Sequence, residues 1–140
     1  METSVGDRGV VASVVTDADT ALALGSGSLA VLGTPRLLAW CEAATCRALE
    51  GRLPRGSSSV GTAVVLQHLA ASAVGEQVTA VAVVRSVDGR RIGFDLEATD
   101  AGGTVVARGT VERVVVHDER FLARLARERS YRAGLRAWRV

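Results

Sequence analysis

At 140 residues, 48% hydrophobic and 23% charged, the chain has the size of one domain with one core and is too apolar to stay disordered. Its net charge of +2, carried by arginine with no lysine and dispersed until the C-terminus, argues against a nucleic-acid partner. An N-terminus without an apolar leader and the absence of any membrane-length apolar run argue against a secreted or membrane protein, so the expectation is a soluble, cytoplasmic one without a membrane partner.

Arg8 to Thr16 carries Val10, Val11, Val14 and Val15 and reads as a first strand, closed by the Asp17-Ala18-Asp19 cluster. From Thr20 to Gly33 the chain is apolar but broken by Gly25-Ser26-Gly27-Ser28, which fits short helical pieces acting either as a cover over a pocket or as a plain connector. Thr34-Pro35 then predicts an N-cap and first helical position, and Gly51 a left-handed stop, with about four turns of helix between them.

At 100° per residue, Arg36, Ala43, Arg47 and Glu50 form the wet face of that helix, while Leu38, Cys41, Thr45 and Leu49 lie opposite, flanked by Leu37, Ala44 and Ala48. Glu42 falls about 120° from the centre of the wet face. A carboxylate there needs a partner or a raised pKa, because an unpaired buried charge is costly. Cys41 and Cys46, five apart on one helix, suit neither a disulfide nor a metal pair and read as two small core residues in a reducing compartment.

After a loop at Leu53–Ser59 the period changes to two. Ser59 to Ser72 predicts a strand with Val60, Thr62, Val64, Leu66 and His68 on one face and Gly61, Ala63, Val65, Gln67 and Leu69 on the other. Gln77–Val87, Arg91–Thr99 and Thr104–His117 predict three more, joined at Asp88-Gly89 and Asp100–Gly103 by tight turns. Successive strands joined this way predict an antiparallel meander, and a helix apolar over most of its girth must be wrapped by it. Phe121 to Val140 reads as a C-terminal helix bearing Arg124, Arg127, Arg129, Arg132, Arg136 and Arg139, either a solvated helix or a site for an anion such as a nucleotide phosphate.

Three side chains suggest chemistry. Thr34 offers a hydroxyl at a helix N-terminus, Glu42 an ill-placed carboxylate, and His68 an imidazole in an apolar strand. Each has a bland counterpart: a cap, a carboxylate paired with a structural arginine, and a hydrogen-bonded core histidine. Spacing alone does not bring the three together.

A resemblance does. Gly33-Thr34-Pro35-Arg36 followed by Glu42-Ala43-Ala44, then Ser59-Val60-Gly61-Thr62, then Val65-Leu66-Gln67-His68-Leu69-Ala70-Ala71-Ser72, resembles the fluoroacetyl-CoA thioesterase family of hotdog-fold proteins. The likeness continues through Asp88-Gly89-Arg90-Arg91-Ile92-Gly93-Phe94 and Arg108 to Val116, and spans about Val5 to Leu125. It implies an α+β hotdog fold, a curved antiparallel sheet around a long helix, for residues 1–125, leaving 126–140 as a basic helix or tail. It implies a homodimer with the acyl-CoA site at the subunit interface, and no cofactor or metal. Thr34, Glu42 and His68 match the family's catalytic residues, and Gly61, next to Val60, matches a glycine whose backbone lies close to the thioester.

The expected activity is hydrolysis of a small or medium acyl-CoA. A non-catalytic acyl-CoA-binding protein is the alternative. An enoyl-CoA hydratase or dehydratase stands further off, because His68 lacks the Asp-x-x-x-x-His spacing. One departure concerns selectivity: Ala21–Gly33 contains no aromatic residue to close the pocket, which puts fluoroacetyl specificity in doubt and suggests a roomier acyl site. Arg113 and Arg120 are candidate phosphate contacts, with solvated surface roles the simpler expectation.

Overall fold

The computed structural model describes residues 1–137; the last three residues of the expected C-terminal helix lie outside the described residues. In chain order it contains β1 (Arg8–Val14), a 3₁₀ turn at Asp17–Asp19, α1 (Ala21–Leu24), α2 (Thr34–Leu49), β2 (Ser57–His68), β3 (Gln77–Asp88), β4 (Arg91–Asp100), β5 (Val105–His117) and α3 (Asp118–Ala137). The five strands form one antiparallel sheet in the order β1-β3-β4-β5-β2. No described helix is long and apolar enough to cross a membrane.

The meander expectation holds for β3, β4 and β5, whose tight turns keep neighbours together. It fails for β2, which pairs with β5 rather than β3. The cause is the connection: Leu69–Glu76 is no hairpin, and Leu32 instead donates its N–H to the Ser72 carbonyl at 2.9 Å, drawing the chain away from the sheet. The predicted strand therefore stops at His68 instead of Ser72.

Inward-facing positions follow from the register. Val78, Ala80, Ala82 and Val84 of β3, Ile92, Phe94, Leu96 and Ala98 of β4, and Val111 and Val115 of β5 are buried. They meet Leu37, Cys41, Ala44, Ala48 and Leu49 of α2. Full burial of each large apolar side chain contributes roughly 1.5–3 kcal/mol. The many alanines bring the helix close to the sheet, and at Gly9 the contact is backbone to backbone: a Cβ there would lie 2.1 Å from the Ala44 carbonyl oxygen. Gly51, with φ +73°, stops the helix as expected. Cys46 departs from expectation. It is exposed, while Cys41 is buried, because five residues of helix carry it around from the core face to the side.

Candidate active site

Gly33, rather than Thr34, is the N-cap of α2, and Thr34 and Pro35 occupy its first turn. This corrects the capping role expected for Thr34. Extended backbone at Gly33 leaves the threonine hydroxyl free of the helix, and its Oγ1 shares a 2.8 Å hydrogen bond with Nδ1 of His68, the last residue of β2. Thr34 is exposed and His68 half-buried. Burial lowers the His68 pKa below 6.5, with the Ala70 backbone pulling weakly the other way. The neutral imidazole is thus favoured near pH 7, able to take a proton or return one. A cleft of about 310 Å³ opens here, lined by Val31, Leu32, Leu69 and Ala70 beside the Thr34–His68 pair, with no aromatic side chain in its wall.

One helical turn pair further on, Glu42 meets β2 and β5. Arg113 is buried, against the expectation of a solvated arginine, and its guanidinium is spent on local partners. Its Nε donates to the Ser59 hydroxyl at 2.7 Å, Nη2 to the Ser59 carbonyl at 2.9 Å, and Nη1 to Glu42 Oε2 at 3.5 Å. Strand alternation accounts for this: Arg113 falls between Val111 and Val115 on the face that turns inward. The signal available in the sequence was that same period, read for the charge as well as for the valines. Glu42, 36% exposed at its side chain, has therefore both a partner and access to solvent.

Gly61 stands opposite Arg113 in the ladder. A Cβ at Gly61 would lie 2.8 Å from Glu42 Oε2, so only glycine admits the carboxylate this close to the strand. The face assignment of β2 needs correction at this point. The register slips between Gly61 and Ala63, leaving Thr62 as the bulged residue. The bulge shifts the alternation by one, so Gly61 shares the inner face with Val64, Leu66 and His68. Val60 is not brought to the site; it lines the outer face with Thr62, Val114 and Phe121.

The structure therefore joins the candidates in two pairs, Thr34 with His68 and Glu42 with Arg113 beside Gly61. Thr34 and Glu42 are eight residues apart on α2, about 12 Å at 1.5 Å per residue. Among the described residues, no three His, Cys, Asp or Glu side chains converge as metal ligands would. The chemical inventory is a carboxylate beside open strand backbone, a hydroxyl–imidazole pair, and the N-terminus of α2 with its partial positive charge. Together these can activate water, hold an oxyanion and protonate a leaving group.

Several known proteins similar to this chain in sequence and fold are thioesterases. The family model described as fluoroacetyl-CoA-specific thioesterase matches residues 15–119. The fluoroacetyl-CoA thioesterase of Streptantibioticus cattleyicolor is 39% identical over 95 residues, 68% of each chain. The solved structure of a fluoroacetyl-CoA thioesterase superposes with a TM-score of 0.80 at 35% identity, covering 89% of this chain and 96% of that one. A point variant of the fluoroacetyl-CoA-specific enzyme, in complex with fluoroacetate and CoA, gives 0.78 at 35% identity and covers 84% and 98%. A thioesterase superfamily member from Thermus thermophilus, at 24% identity, matches in fold with a TM-score of 0.87, covering 94% and 97%.

Proposed function

The chain belongs to the fluoroacetyl-CoA-specific thioesterase family of hotdog proteins, and from that premise we propose which residues of this acyl-CoA thioesterase do the work. Glu42 is the base that activates water, or the carboxylate that attacks the thioester carbonyl. The Gly61 backbone N–H receives the oxyanion, and His68, with Thr34, returns a proton to the departing CoA thiolate. The observation that carries this reading is the 2.8 Å Thr34–His68 bond, made between residues 34 positions apart at the mouth of a cleft.

The separation of the two pairs supports a homodimer. Gly61 and His68 lie roughly 20 Å apart along β2, too far for one thioester to touch both. Among the described residues no strand pairs with the outer edge of β2, where Val64 is 45% and Val65 62% exposed. A second copy pairing antiparallel about a twofold axis at Val65, with Thr62 bulged out of the count, sets position 61 of one chain opposite position 68 of the other. The acyl-CoA site then lies at the subunit interface, with Glu42 and Gly61 from one protomer and the Thr34–His68 pair from its partner.

With no aromatic residue in Ala21–Gly33, the acyl group is a small or medium one without selection for fluorine. Residues 1–125 form the hotdog unit and 126–140 a basic extension, and the working compartment is the cytoplasm. The test is free-thiol release from acyl-CoAs of graded length, by wild type, Glu42→Gln and His68→Ala. Turnover that drops about 10²-fold or more in both variants, with fold and dimer intact, supports the assignment. Acyl-CoA bound without turnover on any chain length overturns it in favour of a binding protein.

A further inference from the structure

A second groove lies on the opposite face of the sheet from Glu42. Its floor is Val60 and Thr62 of β2 with Val114 and Val116 of β5, and its wall is Phe121 of α3, enclosing about 370 Å³. Around its rim stand Arg90, from the β3–β4 turn, Arg120 and Arg124, from α3, and His117. Among the described residues, no carboxylate lines it, and the one acid paired with these arginines is Glu128, which accepts from Arg124 Nε at 3.0 Å and lies outside the groove.

The arrangement is fixed by the fold. Asp118 donates its N–H to the Gly56 carbonyl at 3.0 Å and accepts the Ser58 hydroxyl at 2.5 Å, pinning the start of α3 beside β2. The N–H of Val115 bonds the Arg90 carbonyl at 2.8 Å, holding the turn arginine at the same place. Cations from two separate elements therefore converge on an apolar floor beside an aromatic ring that is 41% exposed. Phosphate oxygens suit the guanidinium forks, and a flat heterocycle suits the phenyl face and the valines.

We propose that this groove receives the nucleotide end of the acyl-CoA substrate, with Arg90, Arg120 and Arg124 on its phosphates and Phe121 against its adenine. The inference rests on the thioesterase reading. It is tied to the site by position: Val60 and Thr62, in the groove floor, flank Gly61, which faces Glu42 from the other side of the same strand. Residues 57–60 lie beyond the stretch that the twofold pairing would cover, so the pantetheine arm passes from one face to the other around that end of the strand.

The test is the triple variant Arg90→Gln/Arg120→Gln/Arg124→Gln, compared with wild type on one acyl group carried by CoA and by pantetheine. Three exposed arginines on phosphate are expected to raise KM for the acyl-CoA roughly tenfold, more at low salt than at high, with the loss confined to the nucleotide-bearing substrate. Equal losses on both substrates, or an unchanged KM for the acyl-CoA, overturn the proposal. Calorimetric titration with adenosine 3′,5′-bisphosphate gives an answer that needs no turnover. Binding that weakens in the triple variant and is competed by CoA supports the groove even if every thioester proves inert. Absence of binding to wild type, binding not competed by CoA, or dissociation of the dimer by the triple variant would show that the groove serves a separate effector, a second copy or nothing.

Discussion

Two glycines on opposite edges of the sheet face the same helix, and they face it differently. Gly9, on β1, touches α2 directly: its missing side chain is filled by the backbone of Ala44 and Ala48, the latter with its nitrogen 2.4 Å from a notional Cβ. Gly61, on β2, looks at α2 across a polar gap occupied by the Glu42 carboxylate and the Arg113 guanidinium. The helix is thus packed dry against one half of the sheet and stands away from the other. A fold of this kind can hold a charged carboxylate near its centre because only one flank of the helix is needed for stability. The other flank is left for water, substrate and a partner.

The sharpest way to break the contrast is to add one methyl group to each glycine. Gly9→Ala drives carbon into main-chain atoms that have nowhere to go, and stability is expected to fall by about 3 kcal/mol, measured as the denaturant midpoint. Gly61→Ala meets the end of a flexible side chain instead, so stability changes by less than about 1 kcal/mol while the carboxylate is pushed aside. Its thioesterase activity is expected to drop roughly 10²-fold, the scale of a misplacement of about 1 Å. Equal stability losses at the two sites would contradict the picture of a one-sided helix.

The pH response sharpens the polar flank. Burial lowers the His68 pKa below its ordinary 6.5, so the native state prefers the neutral ring. The unfolded chain then binds the extra proton first, and the contribution of His68 to stability is present above pH 6.5 and lost as the pH falls from there through the folded pKa. Stability measured between pH 7.5 and 5 should therefore decline more steeply in wild type than in His68→Asn, and the acid limb of kcat/KM should fall below 6.5. A variant with the same slope as wild type would mean His68 is not the titrating group.

The smallest effect expected is at the thiols. Burial, and then the charge of Glu42, push the Cys41 thiol up to about 11, whereas Cys46 is exposed on the open side. A thiol reagent should modify one cysteine in the native protein and the second only after unfolding. Rapid reaction of both would show that the core flank of α2 opens more readily than its packing implies.

Much of this was legible in the chain. Apolar period 3.6 from Leu37 to Leu49 marked the helix and its buried face, and period two with β-branched residues marked the strands. The tight turns at Asp88-Gly89 and Asp100–Gly103 followed from residues that tolerate positive φ or close an Asx turn. Glu42 stood out because its angle on the helix was wrong for a solvated acid.

Other features had no local signal. The pairing of β2 with β5 depends on where a crossover segment finds hydrogen bonds, and Ser72 finds them at Leu32, forty residues earlier in the chain. The bulge at Thr62 depends on how β2 fits its neighbour, and it alone turns Gly61 to the same face as His68. The strand period turned Arg113 inward, but its burial as a charge also needs Ser59 across the ladder to accept two of its donors, a partner the period does not name. By itself the sequence determined the elements, the buried face of the long helix and the residue types able to hydrolyse a thioester, since period and propensity are properties of neighbours along the chain. Only the tertiary structure decided that Thr34 meets His68, that Glu42 meets Arg113, and that the two pairs stay apart, because those contacts are set by how a twisted sheet closes on a helix.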